Sequence, residues 1–161
     1  MPITRDIVAT YRGPGRVVRR ILGMGAGETY ALTLVMVGCV VVFIAQWPKF
    51  ARESYLSGED IYISLYGAFI AMMFMMPLVL YALAGVSHVV ARLIGGTGSG
   101  YASRVALFWA FLAASPMMLL NGLVAGFIGA GPQMTVTGGL WLLVFLWFWL
   151  MGLREAQWGK S

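Results

Sequence analysis

The sequence has few of the residues that metal and catalytic sites require. Its 161 residues include one cysteine, Cys39, and one histidine, His88. A single cysteine excludes an intrachain disulfide and any multi-cysteine zinc or iron–sulfur site, and a single histidine excludes haem ligation by two histidines of this chain. No carboxylate lies within any long apolar run, so neither a metal site nor a nucleophile–base pair can be assembled there. We therefore expect no cofactor, no bound metal, no catalytic residue and no enzymatic activity.

The sequence also has few charged residues and many apolar ones. Charged residues make up 11% of the chain and hydrophobic residues 60%, and the mean hydropathy is +0.83. A soluble chain of this size leaves roughly a third of its unfolded surface exposed to water. With so many apolar residues, much of that exposed surface would be apolar. Several runs reach the ~20 residues that a helix needs to cross ~30 Å of hydrocarbon. The sequence therefore predicts an integral membrane protein.

The apolar runs also predict the architecture. They place four spans at about residues 30–47, 61–84, 103–128 and 138–153. The expected fold is all-α: an integral membrane four-helix bundle with a short basic amphipathic N-terminal arm. The expected division is an interfacial arm over residues 1–27 and a four-span membrane domain over residues 28–161.

The arm combines arginines with apolar residues on opposite sides of short helical segments. Its arginines are opposed by Val17, Val18 and Ile21, and the sequence Gly13-Pro14-Gly15 predicts a break between two segments. Such a helix lies in the headgroup plane, where each arginine near an anionic leaflet contributes about 1 kcal/mol. The predicted lipid-headgroup contacts are Arg5, Arg12, Arg16, Arg19, Arg20, Arg92 and Arg104. The alternative is that these arginines only set the topology and bind no dedicated ligand.

The distribution of basic residues predicts the orientation. The arm, the glycine-rich turn at residues 95–100 with its two flanking arginines, and the C-terminal tail together carry nine lysines and arginines, whereas the two connections on the other side carry two. Because cytoplasmic loops are enriched in lysine and arginine, both termini and the turn are expected in the cytoplasm. The turn lacks the Gly-Lys-Ser/Thr ending of a phosphate-binding loop, so we interpret it as a flexible connection.

Several residues within the spans predict helix packing or kinks. Pro77 and Pro116 predict a kink in the second and the third span. Gly122 and Gly126 form a pair of small residues four positions apart, which lets helix backbones approach closely; glycine that is merely tolerated in a span is the alternative. Asn121 is expected to link helices rather than to contact a substrate.

His88 is a possible polar site near the cytoplasmic end of the second span. Ionisable residues inside membranes often serve as proton relays or ligands. The alternative is an interfacial histidine that forms a hydrogen bond with a neighbouring helix.

The order of several weak motifs resembles a known family. The motifs are GPGRVVRRIL before the first span, ARLIGGTGS at the end of the second, AASPMMLL in the third, and Trp147, Leu150 and Gly152-Leu153-Arg154 in the fourth. Together they resemble the bacterial branch of the Yip family, integral membrane proteins named for interacting with Ypt/Rab GTPases. Members of that family usually have five spans, so the resemblance implies that the last span is missing here. It implies a membrane-embedded protein of the bacterial inner membrane, and the Rab-binding role of the eukaryotic branch is not carried over.

Two functional hypotheses follow. The first is a non-enzymatic structural or interaction protein that organises lipid or docks onto a larger membrane complex. Its expected partners are anionic lipid headgroups and other membrane subunits or further copies of itself, and not nucleic acid. The alternative is a small oligomeric transporter or channel that uses the proline-broken second and third spans, because broken helices often build substrate sites.

Overall fold

A computed structural model describes residues 3–25 and 27–159, and within these ranges the chain forms helices and no strand. The elements are α1 (Ile3–Thr10), α2 (Pro14–Gly23), α3 (Glu28–Ser57), α4 (Ile61–Ile70), a π-helical segment (Ala71–Met75), α5 (Met76–Leu93), α6 (Gly100–Ala113), α7 (Ser115–Phe127) and α8 (Pro132–Trp158). They build four helices that are long and apolar enough to cross a membrane: Glu28–Ser57, Ile61–Leu93, Gly100–Phe127 and Pro132–Trp158. The prediction of an all-α bundle is confirmed.

The third long helix lies at the centre of the bundle. Every residue from 105 to 114 is at most 3% exposed, and α6 contacts α3, α5 and α8 as well as both arm helices. A helix that is apolar on all sides fits such a buried position. The second and fourth long helices lie at the periphery, where their exposed apolar side chains include Leu78, Leu93 and Leu143. Such extensive apolar exposure is typical of a surface that contacts membrane or a partner.

The first long helix continues past the point where the sequence predicts its end. The predicted span stops just before Pro48, whereas α3 passes through Pro48 and continues to Ser57. Proline removes one backbone hydrogen bond, but Pro48 packs against α7, and the rest of this 30-residue helix is intact. The helix ends at Gly58, which adopts the left-handed conformation with φ +74°. The predicted spans leave residues 48–60 as the connection between the first two helices, and the structure reduces it to residues 58–60.

The other long helices also extend beyond the predicted spans. The second reaches Leu93 rather than residue 84, and the fourth covers Pro132–Trp158 rather than 138–153. Polar caps support two of the starts. The Asp60 carboxylate accepts a hydrogen bond from the Tyr62 N–H over 3.0 Å, and Ser99 caps α6 in the same way. The Ser99 cap accompanies the earlier start of the third long helix, at Gly100 instead of residue 103, whereas the second begins at Ile61 as predicted.

The two prolines perturb their helices differently. Before Pro77 the chain widens into the π-helical segment, and the second long helix then resumes as α5. Before Pro116 the third long helix is interrupted at Ala114, which separates α6 from α7. The Met117 N–H bonds to the Ala114 carbonyl over 3.0 Å. The Ala113 carbonyl, its partner in a regular helix, is thereby free for another donor.

Two glycines allow α3 and α7 to pack backbone against backbone. A Cβ atom added at Gly122 would overlap the carbonyl oxygen of Ala45, and one added at Gly126 would overlap Pro48. Both positions therefore require glycine for close approach rather than for backbone freedom.

Polar side chains link α7 to α8 and to α3. Asn121 on α7 accepts a hydrogen bond from the Thr137 hydroxyl on α8 over 2.8 Å. Arg52 on α3 donates to the carbonyls of Gly126 and Phe127 over 3.3 Å. Since these carbonyls end α7, the guanidinium also complements the negative end of that helix.

Candidate functional site

The arm, the glycine-rich turn and the end of α8 meet at one end of the bundle. Arg104 at the start of α6 forms an ion pair with Glu28 at the start of α3. The Thr97 N–H in the turn donates to the Gln157 carbonyl over 2.9 Å. Most arginines of the described residues therefore share this end, while Lys49 lies toward the other end of α3. Lys160, which also counts toward the predicted basic side, lies outside the described residues.

The arm packs against the bundle, and its buried apolar side chains lie mainly on α2. Val17, Val18 and Ile21 are at most 4% exposed and belong to the same apolar cluster as the long helices. A Cβ atom added at Gly152 of α8 would lie 3.2 Å from Val18. The chain breaks between α1 and α2 where Gly13-Pro14-Gly15 predicts, with Pro14 as the first residue of α2, a position at which proline is favoured.

Two tertiary hydrogen bonds fix the end of α1 to the centre of the bundle. The Trp109 indole N–H donates to the buried Thr10 hydroxyl over 3.0 Å. The Tyr11 hydroxyl donates over 3.0 Å to the Ala113 carbonyl, the group that the Pro116 interruption frees. Burial raises the pKa of Tyr11, so the hydroxyl keeps its proton as a donor. The ring of Tyr11 also packs edge-on against Phe148, with centroids 4.8 Å apart.

The outer side of the arm carries a groove of about 400 Å³ between α1 and α2. We call it the arginine groove. Its lining residues are Arg5, Val8, Ala9, Arg12, Gly13, Arg16, Val17 and Arg20. Arg20 forms an ion pair with Asp6, whereas Arg5, Arg12 and Arg16 have no carboxylate partner among the described residues.

One of these guanidinium groups lies against Gly13. A Cβ atom added at Gly13 would lie 2.7 Å from Nε of Arg16. The Arg16 side chain therefore folds back over the turn between the two arm helices. Three guanidinium groups that have no carboxylate partner among the described residues lie beside an apolar bundle, and such a site favours anionic ligands.

The other predicted headgroup contacts lie outside the groove. Arg19 points to α8 and pairs with Glu155; the hydrogen bond and the charge of this carboxylate raise the pKa of Arg19. Arg104 is paired with Glu28, and Arg92 is exposed at the end of α5. The structure thus groups four of the seven arginines and assigns two others to contacts between elements.

His88 lies in a compact polar cluster. Its Nδ1 atom is 3.4 Å from both the Ser103 hydroxyl and the Gln157 amide nitrogen. Gln157 is 1% exposed, and its amide donates to the Ser103 hydroxyl over 2.6 Å and to the Ser99 carbonyl over 3.2 Å. The cluster links α5, α6 and α8 below the glycine-rich turn. Within the described part of the chain, no group of three or more histidine, cysteine or acidic residues could hold a metal ion.

The glycine-rich turn is fitted closely to the end of α8. A Cβ atom added at Gly98 would overlap the Ala156 carbonyl, and one at Gly96 would lie 3.0 Å from the Gln157 side chain. The sequence predicts a flexible connection here, but these contacts give the glycines a packing role. The sequence does not predict the role of Gln157, because a polar residue in a polar C-terminal tail carries no distinguishing signal.

Comparisons of this chain with models of known protein families, with curated proteins and with solved structures give no match.

Proposed function

We propose that this chain is a non-enzymatic integral membrane protein that binds anionic lipid headgroups through the arginine groove and so organises lipid around a membrane complex. The observation that supports this proposal is a set of three arginines that have no carboxylate partner in the described part of the chain, held by an arm that packs against the bundle. A docked arm loses little conformational entropy when a ligand binds, which favours affinity.

The proposed location is a bacterial inner membrane with both termini in the cytoplasm. The grouping of arginines at one end of four apolar helices supports this orientation, because the cytoplasmic side is enriched in basic residues and its leaflet is anionic. The resemblance of the sequence to the bacterial branch of the Yip family supports the choice of membrane. In this orientation the arginine groove faces the anionic headgroups.

The same proposal includes association with other membrane subunits or with further copies of the chain. Its support is the exposed apolar surface of the second long helix, where Leu78, Val86 and Leu93 are each more than 60% exposed. A helix so little covered by its own chain has room for a partner helix or for lipid.

Removing two groove charges is expected to weaken headgroup binding. In the double variant Arg12→Gln and Arg16→Gln, two contributions of about 1 kcal/mol each are lost, which corresponds to a roughly 30-fold weaker affinity. The measurement is a titration of the full chain in neutral detergent with short-chain phosphatidylglycerol, followed by the shift in unfolding temperature. Phosphatidylcholine provides the neutral reference lipid.

The matched control is the double variant Arg92→Gln and Arg154→Gln. It removes the same charge from exposed positions at the same end of the bundle, outside the arginine groove. We expect it to retain most of the affinity. Equal weakening by both double variants would show that binding follows net charge alone, and the groove would not be the site.

A transporter or channel is the second candidate, and one observation favours it. The π-helical segment at Ala71–Met75 ends two residues before Pro77, and such segments are frequent at functional sites. Solute flux in proteoliposomes that is lost in Asn121→Leu or His88→Phe, with headgroup binding unchanged, would support this function over the first.

A further inference from the structure

The arginine groove has two cationic ends separated by an apolar floor. Arg12 and Arg16 lie at the closed end, beside the turn between α1 and α2, where Arg16 folds over Gly13. Arg5 and Arg20 lie toward the open end, because the ion pair between Arg20 and Asp6 brings the end of α2 to the start of α1.

The floor between the two ends is formed by Val8, Ala9 and Val17. Arg16 and Arg20 are four residues apart on α2, a rise of about 6 Å. Arg5 and Arg12 are seven residues apart along α1 and its end, about 10 Å if the helical rise continued. Arg16 folds back over Gly13 while Arg20 is held by Asp6, so the two guanidinium groups of α2 lie toward different ends of the groove.

The charge at the two ends differs. The closed end holds two guanidinium groups, whereas at the open end the Asp6 carboxylate balances one of the two. Four guanidinium groups and one carboxylate leave the groove with a net charge of +3. A ligand with one negative charge would leave most of this charge uncompensated.

We infer that the arginine groove recognises a ligand with two phosphate groups joined by a short uncharged bridge. One phosphate binds Arg12 and Arg16, the other binds Arg5 and Arg20, and the bridge lies over the apolar floor. This inference rests on the proposed headgroup function and makes it more specific. Two sources can supply this chemistry: a lipid with a diphosphate headgroup and a free bisphosphate in solution.

The test compares three probes on the full chain in neutral detergent. The probes are cardiolipin, phosphatidylglycerol at matched phosphate concentration, and free glycerol 1,3-bisphosphate as a competitor. We expect cardiolipin to bind roughly tenfold more tightly than phosphatidylglycerol, since only cardiolipin engages both ends. Competition by glycerol bisphosphate at equal molar affinity would assign the site to a soluble ligand; weak competition would assign it to the lipid.

Single variants at each end separate this inference from the proposed function. Arg5→Gln and Arg12→Gln should each reduce cardiolipin binding to the level of phosphatidylglycerol, while Arg92→Gln should not. Unfolding temperatures without lipid serve as the check on folding for these exposed positions. Equal affinity for cardiolipin and phosphatidylglycerol would overturn the two-phosphate inference and leave the headgroup function intact. If the unmodified chain bound neither cardiolipin nor phosphatidylglycerol more tightly than phosphatidylcholine, both the two-phosphate inference and the headgroup function would be overturned.

Discussion

Replacement of Gly122 with alanine is expected to destabilise the bundle by about 3 kcal/mol, the upper range for overpacking. The added Cβ would overlap the carbonyl oxygen of Ala45. Because the obstacle is backbone, no side-chain rotation can relieve the overlap, and α3 and α7 must separate. The measurement is equilibrium unfolding in mixed micelles, followed by the change in helical circular dichroism.

Gly139→Ala on α8 is the matched control for this prediction. A Cβ atom there meets nothing within 4 Å, and alanine favours helix over glycine by about 1 kcal/mol. The control should be neutral or slightly stabilising. Equal stability of the two variants would mean that α3 and α7 are not packed backbone against backbone.

Removal of the two hydrogen bonds that hold α1 is expected to release the arm. The double variant Trp109→Phe and Tyr11→Phe deletes the donors to Thr10 and to the Ala113 carbonyl while keeping aromatic rings in place. Two buried hydrogen bonds contribute about 2–3 kcal/mol, so amide exchange in α1 and α2 should accelerate roughly 30- to 150-fold. Hydrogen exchange read by mass spectrometry resolves this, since peptides from the arm should accelerate more than peptides from the long helices; the smaller ring at the buried position 109 accounts for any change in α6.

The control for this prediction about the arm is the double variant Trp147→Phe and Tyr66→Phe. Trp147 is 44% exposed and Tyr66 is 70% exposed, and neither contributes a side-chain hydrogen bond among those of the described residues. Exchange in the arm should stay at the wild-type rate. If the first double variant also left arm exchange unchanged, the apolar contacts of Val18 and Ile21 alone would hold the arm.

The sequence predicts the bundle because the apolar content of each run is a local property. Hydropathy over twenty residues identifies all four long helices, and the Gly-Pro-Gly sequence identifies the break in the arm. The helix ends are less predictable, as Pro48 shows. Its position after an aromatic residue resembles a terminator, but packing against Gly126 keeps the chain helical there.

The docking of the arm could not be predicted from local sequence. Tyr11 and Ala113 are 102 residues apart, and Thr10 and Trp109 are 99 residues apart. Pro116 does signal an interruption of the third long helix, but nothing in the sequence says that the Ala113 carbonyl is freed there or which hydroxyl donates to it. The grouping of four arginines in one groove and the pairing of Arg19 with Glu155 depend on the same docking.

A map of cysteine accessibility tests the topology most directly. Single cysteines are introduced in a Cys39→Ala background at exposed positions: Met24→Cys and Thr97→Cys at the arginine-rich end, Ser57→Cys and Gln133→Cys at the other. In intact bacterial cells, an impermeant thiol reagent should label the last two and spare the first two until the membrane is opened. Labelling of position 97 together with position 57 would contradict a bundle whose arginine-bearing end faces the cytoplasm, and with it the proposed role of the groove.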